Sequence, residues 1–114
     1  MESILNSVKK MLGIDSSYTH FDSDLIMHIN SVFMVLTQLG VGPSEGFVIT
    51  GEYDEWGDFI DEIDQLAAIK TYVYQKVRLI FDPPSSSAHM EALKNSIAEF
   101  EWRLYISAEL GLSQ

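Results

Sequence analysis

Two long helical patterns meet at Asp82-Pro83-Pro84, and this break constrains the fold more than any other feature of the chain. A proline lacks the backbone donor that a continuous helix needs, and its ring clashes with the preceding turn. The residue before a proline is also pushed towards extended backbone. Only about five residues separate the two patterns, and links this short usually join antiparallel neighbours. The sequence therefore predicts a helical hairpin.

Apolar residues recur at helical spacing in four segments, so we expect an all-α fold. The 114 residues fit one domain, a small four-helix bundle that ends in the hairpin. Ser3 and Asp22 are suited to cap the first two helices, and the run Ser85 to Ser87 is suited to cap the fourth. Gly13 and Gly40 suit the left-handed turns that end the first two helices. The predicted helices cover approximately residues 3–12, 23–39, 59–81 and 87–110.

The two helices of the hairpin have different apolar patterns. The last helix carries a heptad-like seam, which suits packing at a shallow angle against the helix before it. The third helix has a wider apolar stripe, which indicates contact with more than one neighbour. The seam consists of Met90, Leu93, Ile97, Phe100 and Leu104.

The least helical region lies between Val41 and Gly57 and is rich in glycine. Within it, Phe47-Val48-Ile49-Thr50 is a β-prone run that ends at Gly51. This pattern is compatible with a short strand or with an ordered loop near residues 45–57, and the sequence leaves both open.

The negative charge is concentrated in one segment. The chain has a net charge of −10, and residues 41–64 contribute −8 of it because they contain no Lys or Arg. Such a field opposes nucleic-acid binding, which depends on basic side chains that neutralise phosphates. The acidic residues of the segment are Glu45, Glu52, Asp54, Glu55, Asp58, Asp61, Glu62 and Asp64.

No motif in the chain supports catalysis or a cofactor. Cysteine is absent, so thiolate chemistry and cysteine-bound metals are excluded. An EF-hand that started at Asp54 would fail at Trp56, where an oxygen ligand is required. We expect no catalytic, cofactor-binding or metal site; an acid/base or metal enzyme would have to use Asp54, Asp58 and Asp61. No apolar run reaches the ~20 residues of a membrane span, and the N-terminus lacks a signal-peptide pattern, so we expect a soluble, unsecreted protein.

The hairpin also carries a family resemblance. The run from Tyr72 to Pro84, followed by Glu99-Phe100-Glu101-Trp102-Arg103-Leu104, resembles the head–tail connector (adaptor, or head-completion) proteins of tailed bacteriophages. The N-terminal half is similar to that family at Phe21-Asp22, at His28-Ile29-Asn30 and from Gln38 to Pro43. The resemblance covers most of the chain and is weakest at residues 44–57.

This resemblance implies a structural virion protein, made in the host cytoplasm, that forms a ring beneath the capsid portal at the head–tail junction. The ring would extend the DNA channel without sequence-specific DNA binding. Its expected partners are the portal protein, further copies of itself, and the next head-completion (stopper) protein or the tail, with no membrane. Surplus apolar helix surface suits a subunit with two ring neighbours, and a negative channel wall would let DNA slide.

Two sets of contact residues follow as expectations. Trp and Arg are enriched at interfaces, although packing in the core is an equal alternative for Trp102. For the portal or a neighbouring subunit, the expected residues are Trp102, Arg103, Tyr105, Ile106, Leu110 and Leu112. For the channel or the next ring, they are Phe47, Val48, Ile49, Glu52, Asp54, Glu55 and Asp58.

A second hypothesis is an acidic interaction protein, such as a DNA mimic that regulates a nucleic-acid-binding partner. The dense carboxylates favour it. However, a mimic should spread its charge along a whole face, whereas here the charge is concentrated in one segment.

Overall fold

The computed structural model describes residues 2–61 and 63–112, without the side chains of residues 63, 64, 111 and 112. The prediction of an all-α fold is confirmed, because the described residues form helices and a single isolated antiparallel bridge between Ser3 and Glu55. The helices are α1 (Ile4–Met11), α2 (Asp22–Gln38), α3 (Trp56–Phe59), α4 (Ile63–Phe81) and α5 (Ser87–Leu112).

The predicted hairpin is present, with its corner at the two prolines. Helix α4 ends at Phe81 and α5 begins at Ser87. The Ser86 hydroxyl accepts a hydrogen bond from the His89 backbone N–H at 3.2 Å, so the serine run caps α5 as expected. Phe21, at the start of α2, packs edge-on against Phe81 with ring centroids 5.2 Å apart. The corner is therefore anchored to the start of α2.

Polar side chains between α4 and α5 fix the antiparallel register of the hairpin. As the residue number rises along α4, that of the hydrogen-bonded partner on α5 falls. The three hydrogen bonds join Gln65 Nε2 to Ser107 Oγ at 2.8 Å, Tyr72 Oη to Glu101 Oε2 at 2.7 Å, and Ser96 Oγ to Gln75 Oε1 at 3.1 Å.

Helix α4 is the centre of the molecule. It packs against both α2 and α5, while α1 packs against α2 and α4. This arrangement explains the wide apolar stripe of α4, because α4 must bury apolar side chains against two long helices. The principal dimensions are 43 × 36 × 20 Å, so the molecule is thinner in one direction than in the other two. On these helices the buried apolar residues are Leu25, Ile29, Val32, Phe33, Leu36, Ile69, Tyr72, Val73, Val77, Leu93, Ile97 and Leu104.

The predicted start of the third helix at Phe59 is wrong. A separate short helix, α3, ends at Phe59, and Ile60 then adopts extended backbone with φ −151° and ψ 139°. Helix α4 starts only at Ile63. Trp56 and Phe59 are both buried, so α3 forms because its two aromatic side chains enter the core on the same face of one turn.

The prediction that Asp22 caps α2 is also wrong. Asp22 is the first residue of the helix, and the cap position is Phe21, whose side chain makes no capping hydrogen bond. The Asp22 carboxylate instead accepts a hydrogen bond from Lys9 Nζ at 2.8 Å. By contrast, Ser3 caps α1 as expected, because its hydroxyl accepts from the Asn6 backbone N–H at 3.2 Å.

Candidate assembly surfaces

The predicted contact residues on α5 lie largely on its outer side. Trp102 is 62% exposed, Leu110 59% and Tyr105 40%. The Trp102 and Tyr105 rings are neighbours, with centroids 6.3 Å apart. Ile106 is half-buried, and the side chain of Leu112 lies outside the described residues. We call the exposed group Trp102, Arg103 and Tyr105 the α5 surface.

The α5 surface faces outward because the opposite side of the helix is tied to α4. Leu104 is buried in the seam at 4% exposure. Glu101 accepts the Tyr72 hydroxyl at 2.7 Å and pairs with Lys76 Nζ at 3.4 Å. These contacts set the rotation of α5 about its axis, which leaves Trp102 pointing away from α4. Core packing, the alternative reading of Trp102, is therefore not its role within the subunit.

The buried Tyr72 hydroxyl is the donor of the hydrogen bond to Glu101 that ties α5 to α4. Burial raises the pKa of its hydroxyl well above the ordinary tyrosine range, and the acceptor and negative charge of Glu101 raise the pKa further. The phenol consequently stays protonated, and it donates to Glu101 throughout the neutral pH range.

Arg103, within the α5 surface, is exposed and bonded to its own helix. Its guanidinium donates to Glu99 Oε1 at 2.7 Å and 3.1 Å, one turn earlier on α5. Ion pairs this exposed contribute little to stability. Arg103 is therefore able to exchange Glu99 for another acid at small cost.

The glycine-rich loop is an ordered loop with no strand, and its alternate residues point in opposite directions. Ile49 is 1% exposed and belongs to the core, whereas Val48 is 62% exposed. The half-buried Phe47 packs against Phe33 and Phe59, at centroid distances of 5.2 Å and 5.3 Å. Of the three apolar residues expected to reach the channel or the next ring, only Val48 presents its side chain outward.

Asn30 on α2 holds this loop in place. Its amide donates to the Ile49 carbonyl oxygen at 3.0 Å and accepts from the Ile49 N–H at 2.7 Å. The side chain thus occupies the position that a paired strand would take. Gly42, with φ 83°, turns the chain into the loop; a Cβ at that position would overlap the Phe59 ring.

The acidic residues of the loop have unlike roles. Asp54 Oδ2 accepts from the Thr50 and Gly51 backbone N–H groups at 2.8 Å and 3.2 Å. Asp58 accepts from the Glu55 N–H at 2.9 Å at the start of α3. Glu55 completes a capping box with Asp58, since its side chain accepts from the Asp58 backbone N–H, so these three carboxylates shape the backbone. The side chains of Glu52, Glu55 and Asp58 are exposed. Among the described residues, no group of three or more acidic or histidine side chains could hold a metal ion.

Two features of the structure were not anticipated from the sequence. Lys9 is fully buried, and its ammonium donates to Asp22, to the Ser16 carbonyl at 3.1 Å and to the Tyr18 carbonyl at 2.7 Å. Its position between Val8 and the exposed Lys10 gives no signal of this role.

The second unanticipated feature is the outer side of α2, where Met27 and Met34 are 58% and 60% exposed. A signal for this surface was present in the sequence, since no charged residue occurs between Leu25 and Ser44. The charged residues of α2, Asp22 and Asp24, are confined to its first turn, whereas charged residues normally occupy the solvent side along the whole length of a surface helix.

Comparison with known proteins identifies the family. Residues 4–111 match the family model described as phage connector protein. The match covers nearly the whole chain, and the chain therefore belongs to the phage connector protein family. No curated protein and no solved structure matches it. Membership agrees with the resemblance at the hairpin and assigns a structural role at the head–tail junction of a bacteriophage. None of the described helices combines the length and apolar character that a membrane span requires.

Proposed function

We propose that this chain is the repeating subunit of a ring beneath the capsid portal of a tailed bacteriophage. The ring extends the DNA channel and links the head to the tail or to the next head-completion protein. The observation that carries the proposal is the α5 surface, an exposed Trp–Arg–Tyr group on a member of a structural phage family. Exposed aromatic anchors of this kind dominate the energetics of protein interfaces.

The end of α5 is the contact with the portal or with a neighbouring subunit. Trp102, Tyr105 and Leu110 supply its exposed apolar area. The tie between Tyr72 and Glu101 supports this assignment, because an anchor held in one orientation loses little freedom on binding.

The glycine-rich loop, which carries acidic residues, faces the DNA channel or the next ring. Val48, Glu52 and Glu55 are exposed on it, while Ile49 lies beneath them in the core. Carboxylates offer phosphates no favourable contact, so a wall of this charge lets DNA pass without adhering. The proposal places the mature protein in the virion, with the portal, its own copies and the stopper or tail protein as partners.

Electron microscopy of purified particles tests the location directly. We expect density for this subunit as a closed ring directly below the portal, coaxial with the DNA. Density elsewhere in the particle, or particles that lack the protein, would contradict the proposal.

A pair of exposed aromatic substitutions tests the role of α5. Trp102→Ala should lower the fraction of particles that retain DNA and join tails by about tenfold or more, as loss of an interface anchor does. Tyr18→Ala is the matched control, because Tyr18 is 50% exposed and packs near the hairpin corner with Phe21. Deletion of residues 108–114 should give the same defect as Trp102→Ala. If both α5 variants give normal particles, the end of α5 is not the contact with the portal or with a neighbouring subunit.

Affinity capture from infected cells separates this proposal from the acidic-mimic hypothesis. Recovery of portal and tail proteins supports the connector. Recovery of a nuclease or polymerase in their place supports the mimic, and loss of that capture on neutralising Glu52 and Glu55 would assign it to the loop.

A further inference from the structure

The outer side of α2 has the composition of an interface core. Met27 and Met34 stand two helical turns apart and are both more than half exposed. No charged residue lies between Leu25 and Ser44, in a chain where charged residues make up 21%. Interface cores are depleted of charge and enriched in methionine, which adapts its shape to a partner.

A groove runs beside this surface, between α2 and the loop. It has a volume of about 520 Å³ and is mostly apolar. Its base is firm, because Phe47 packs on Phe33 and Asn30 fixes the adjoining backbone at Ile49. Its lining includes Asn30, Met34, Glu45, Phe47 and Val48. We call this the α2 groove.

The α5 surface and the α2 groove match in apolar character and carry opposite charges. Trp102 and Tyr105 project side by side from one helix, whereas the groove is a concave apolar site that exposes Met34 and Val48. Glu45 is an exposed acid in the groove lining, and Arg103 is an exposed base beside Trp102. Opposite charges placed in this way fix the orientation of two docking surfaces.

Each of the two surfaces is on the side of its helix opposite the buried residues. Within the subunit α2 and α5 both pack against α4, and the end of α5 approaches the end of α2 through Ala108 and Gly40, which belong to neither surface. A contact between unlike surfaces of identical copies is head-to-tail, and it closes into a ring when the rotation permits.

We propose that the α5 surface of one subunit docks in the α2 groove of the next, and that this contact closes the connector ring. The occupant of the groove is thus a second copy of this chain. The inference rests on the ring of the proposed function and specifies which surfaces meet in it. It also assigns Val48 to the contact between subunits instead of to the channel.

Site-directed cross-linking tests this pairing, since the chain has no cysteine of its own. Particles are assembled with a subunit that carries both Val48→Cys and Tyr105→Cys, and are treated with a short bis-maleimide. We expect a ladder of covalent oligomers that ends at the full ring. The control pairs Val48→Cys with His89→Cys, an exposed position at the far end of α5, and should give no ladder.

A charge exchange provides an independent measurement. Glu45→Lys and Arg103→Glu should each reduce incorporation of the subunit into particles by about tenfold, and the double variant should restore it. Lys94→Glu, the same change of charge at another exposed position on α5, should leave incorporation unchanged.

The outcomes separate this inference from the function on which it rests. A ring seen at the portal with neither a Val48–Tyr105 ladder nor rescue by the double variant overturns the pairing and leaves the connector function standing. Equal ladders from the test and control pairs also overturn the pairing. Absence of the wild-type protein from particles overturns the function, and the pairing with it.

Discussion

The N-terminal half of this connector and its last helix are stabilised in opposite ways. In the N-terminal half, irregular backbone is fixed by buried polar groups: Lys9 binds the segment before α2, and Asn30 binds the loop after it. Helix α5 is regular and packs on one side only, through a seam that ends at Leu104. The N-terminal half therefore forms the fixed part of the subunit, which we call the body. The outer side of α5 exposes side chains that do not pack in the core of the subunit.

The two tryptophans give the largest test of this contrast. Trp56 is fully buried, donates its indole N–H to Ser7 Oγ at 2.9 Å and has Lys70 Nζ 5.9 Å from its ring centroid. Trp56→Ala should lower the free energy of unfolding by about 3–5 kcal/mol, through the cavity that it leaves. Urea titration followed by circular dichroism measures the change.

Trp102→Ala is the matched control for that experiment. Because Trp102 is 62% exposed, its removal should change the free energy of unfolding of the subunit by less than about 0.5 kcal/mol. Similar losses from the two variants would show that the contrast between body and surface is mistaken.

Substitution of Lys9 should have the second largest effect. Lys9→Met keeps the length of the side chain but leaves the Asp22 carboxylate and two carbonyl groups without their donor. Removing one partner of a buried pair costs about 3–5 kcal/mol, and partial exposure of Asp22 reduces this to roughly 2–3 kcal/mol. Thermal unfolding of Lys9→Met beside Lys10→Met, which removes an exposed ammonium one residue later, measures the difference. Equal stability of the two variants contradicts the assignment.

Asn30→Ala should produce a smaller and more local change. It removes both hydrogen bonds to Ile49, which are worth about 1–2 kcal/mol together. Because the loop is held at this point, the Ile49 amide should exchange with deuterium faster while amides in α4 keep their protection. Ser31→Ala is the control, since Ser31 is the exposed neighbour and bonds only to the Met27 carbonyl among the hydrogen bonds described. Unchanged exchange at Ile49 would show that packing of Phe47 alone holds the loop.

The hairpin was predictable from the sequence because its determinants are local. Two prolines set the corner, and the spacing of Leu93, Ile97 and Leu104 gave the buried side of α5. Helix periodicity reports the side that a helix buries, and it is clearest for α5, which packs on one side only.

The body loops were not predictable, because their determinants are distant in sequence. Trp56 meets Ser7 from 49 residues away, and Asn30 meets Ile49 from 19 residues away. Lys9 gave no signal either, since a lysine beside another lysine is the ordinary composition of an exposed turn. On the candidate assembly surfaces, the place of Trp102 off the seam left core packing and interface contact equally open, and its exposure is seen only in the structure. Ile49 points into the core because Asn30 holds its backbone, and the spacing of apolar residues in the sequence does not predict that contact.

Tyr72→Phe probes the boundary between the two regions and should have the smallest effect at neutral pH, about 0.5–1.5 kcal/mol for one hydrogen bond. Its signature is the dependence on pH. The folded state raises the pKa of Tyr72, so its stabilising contribution is complete below about pH 10, the ordinary tyrosine pKa, and falls as the pH rises towards the folded-state pKa. The free energy of unfolding of the wild type should therefore decrease more steeply above pH 10 than that of Tyr72→Phe. Tyr53→Phe, at an 86% exposed position, should follow the wild type, and parallel curves for all three proteins would show that Glu101 is not held by the Tyr72 hydroxyl.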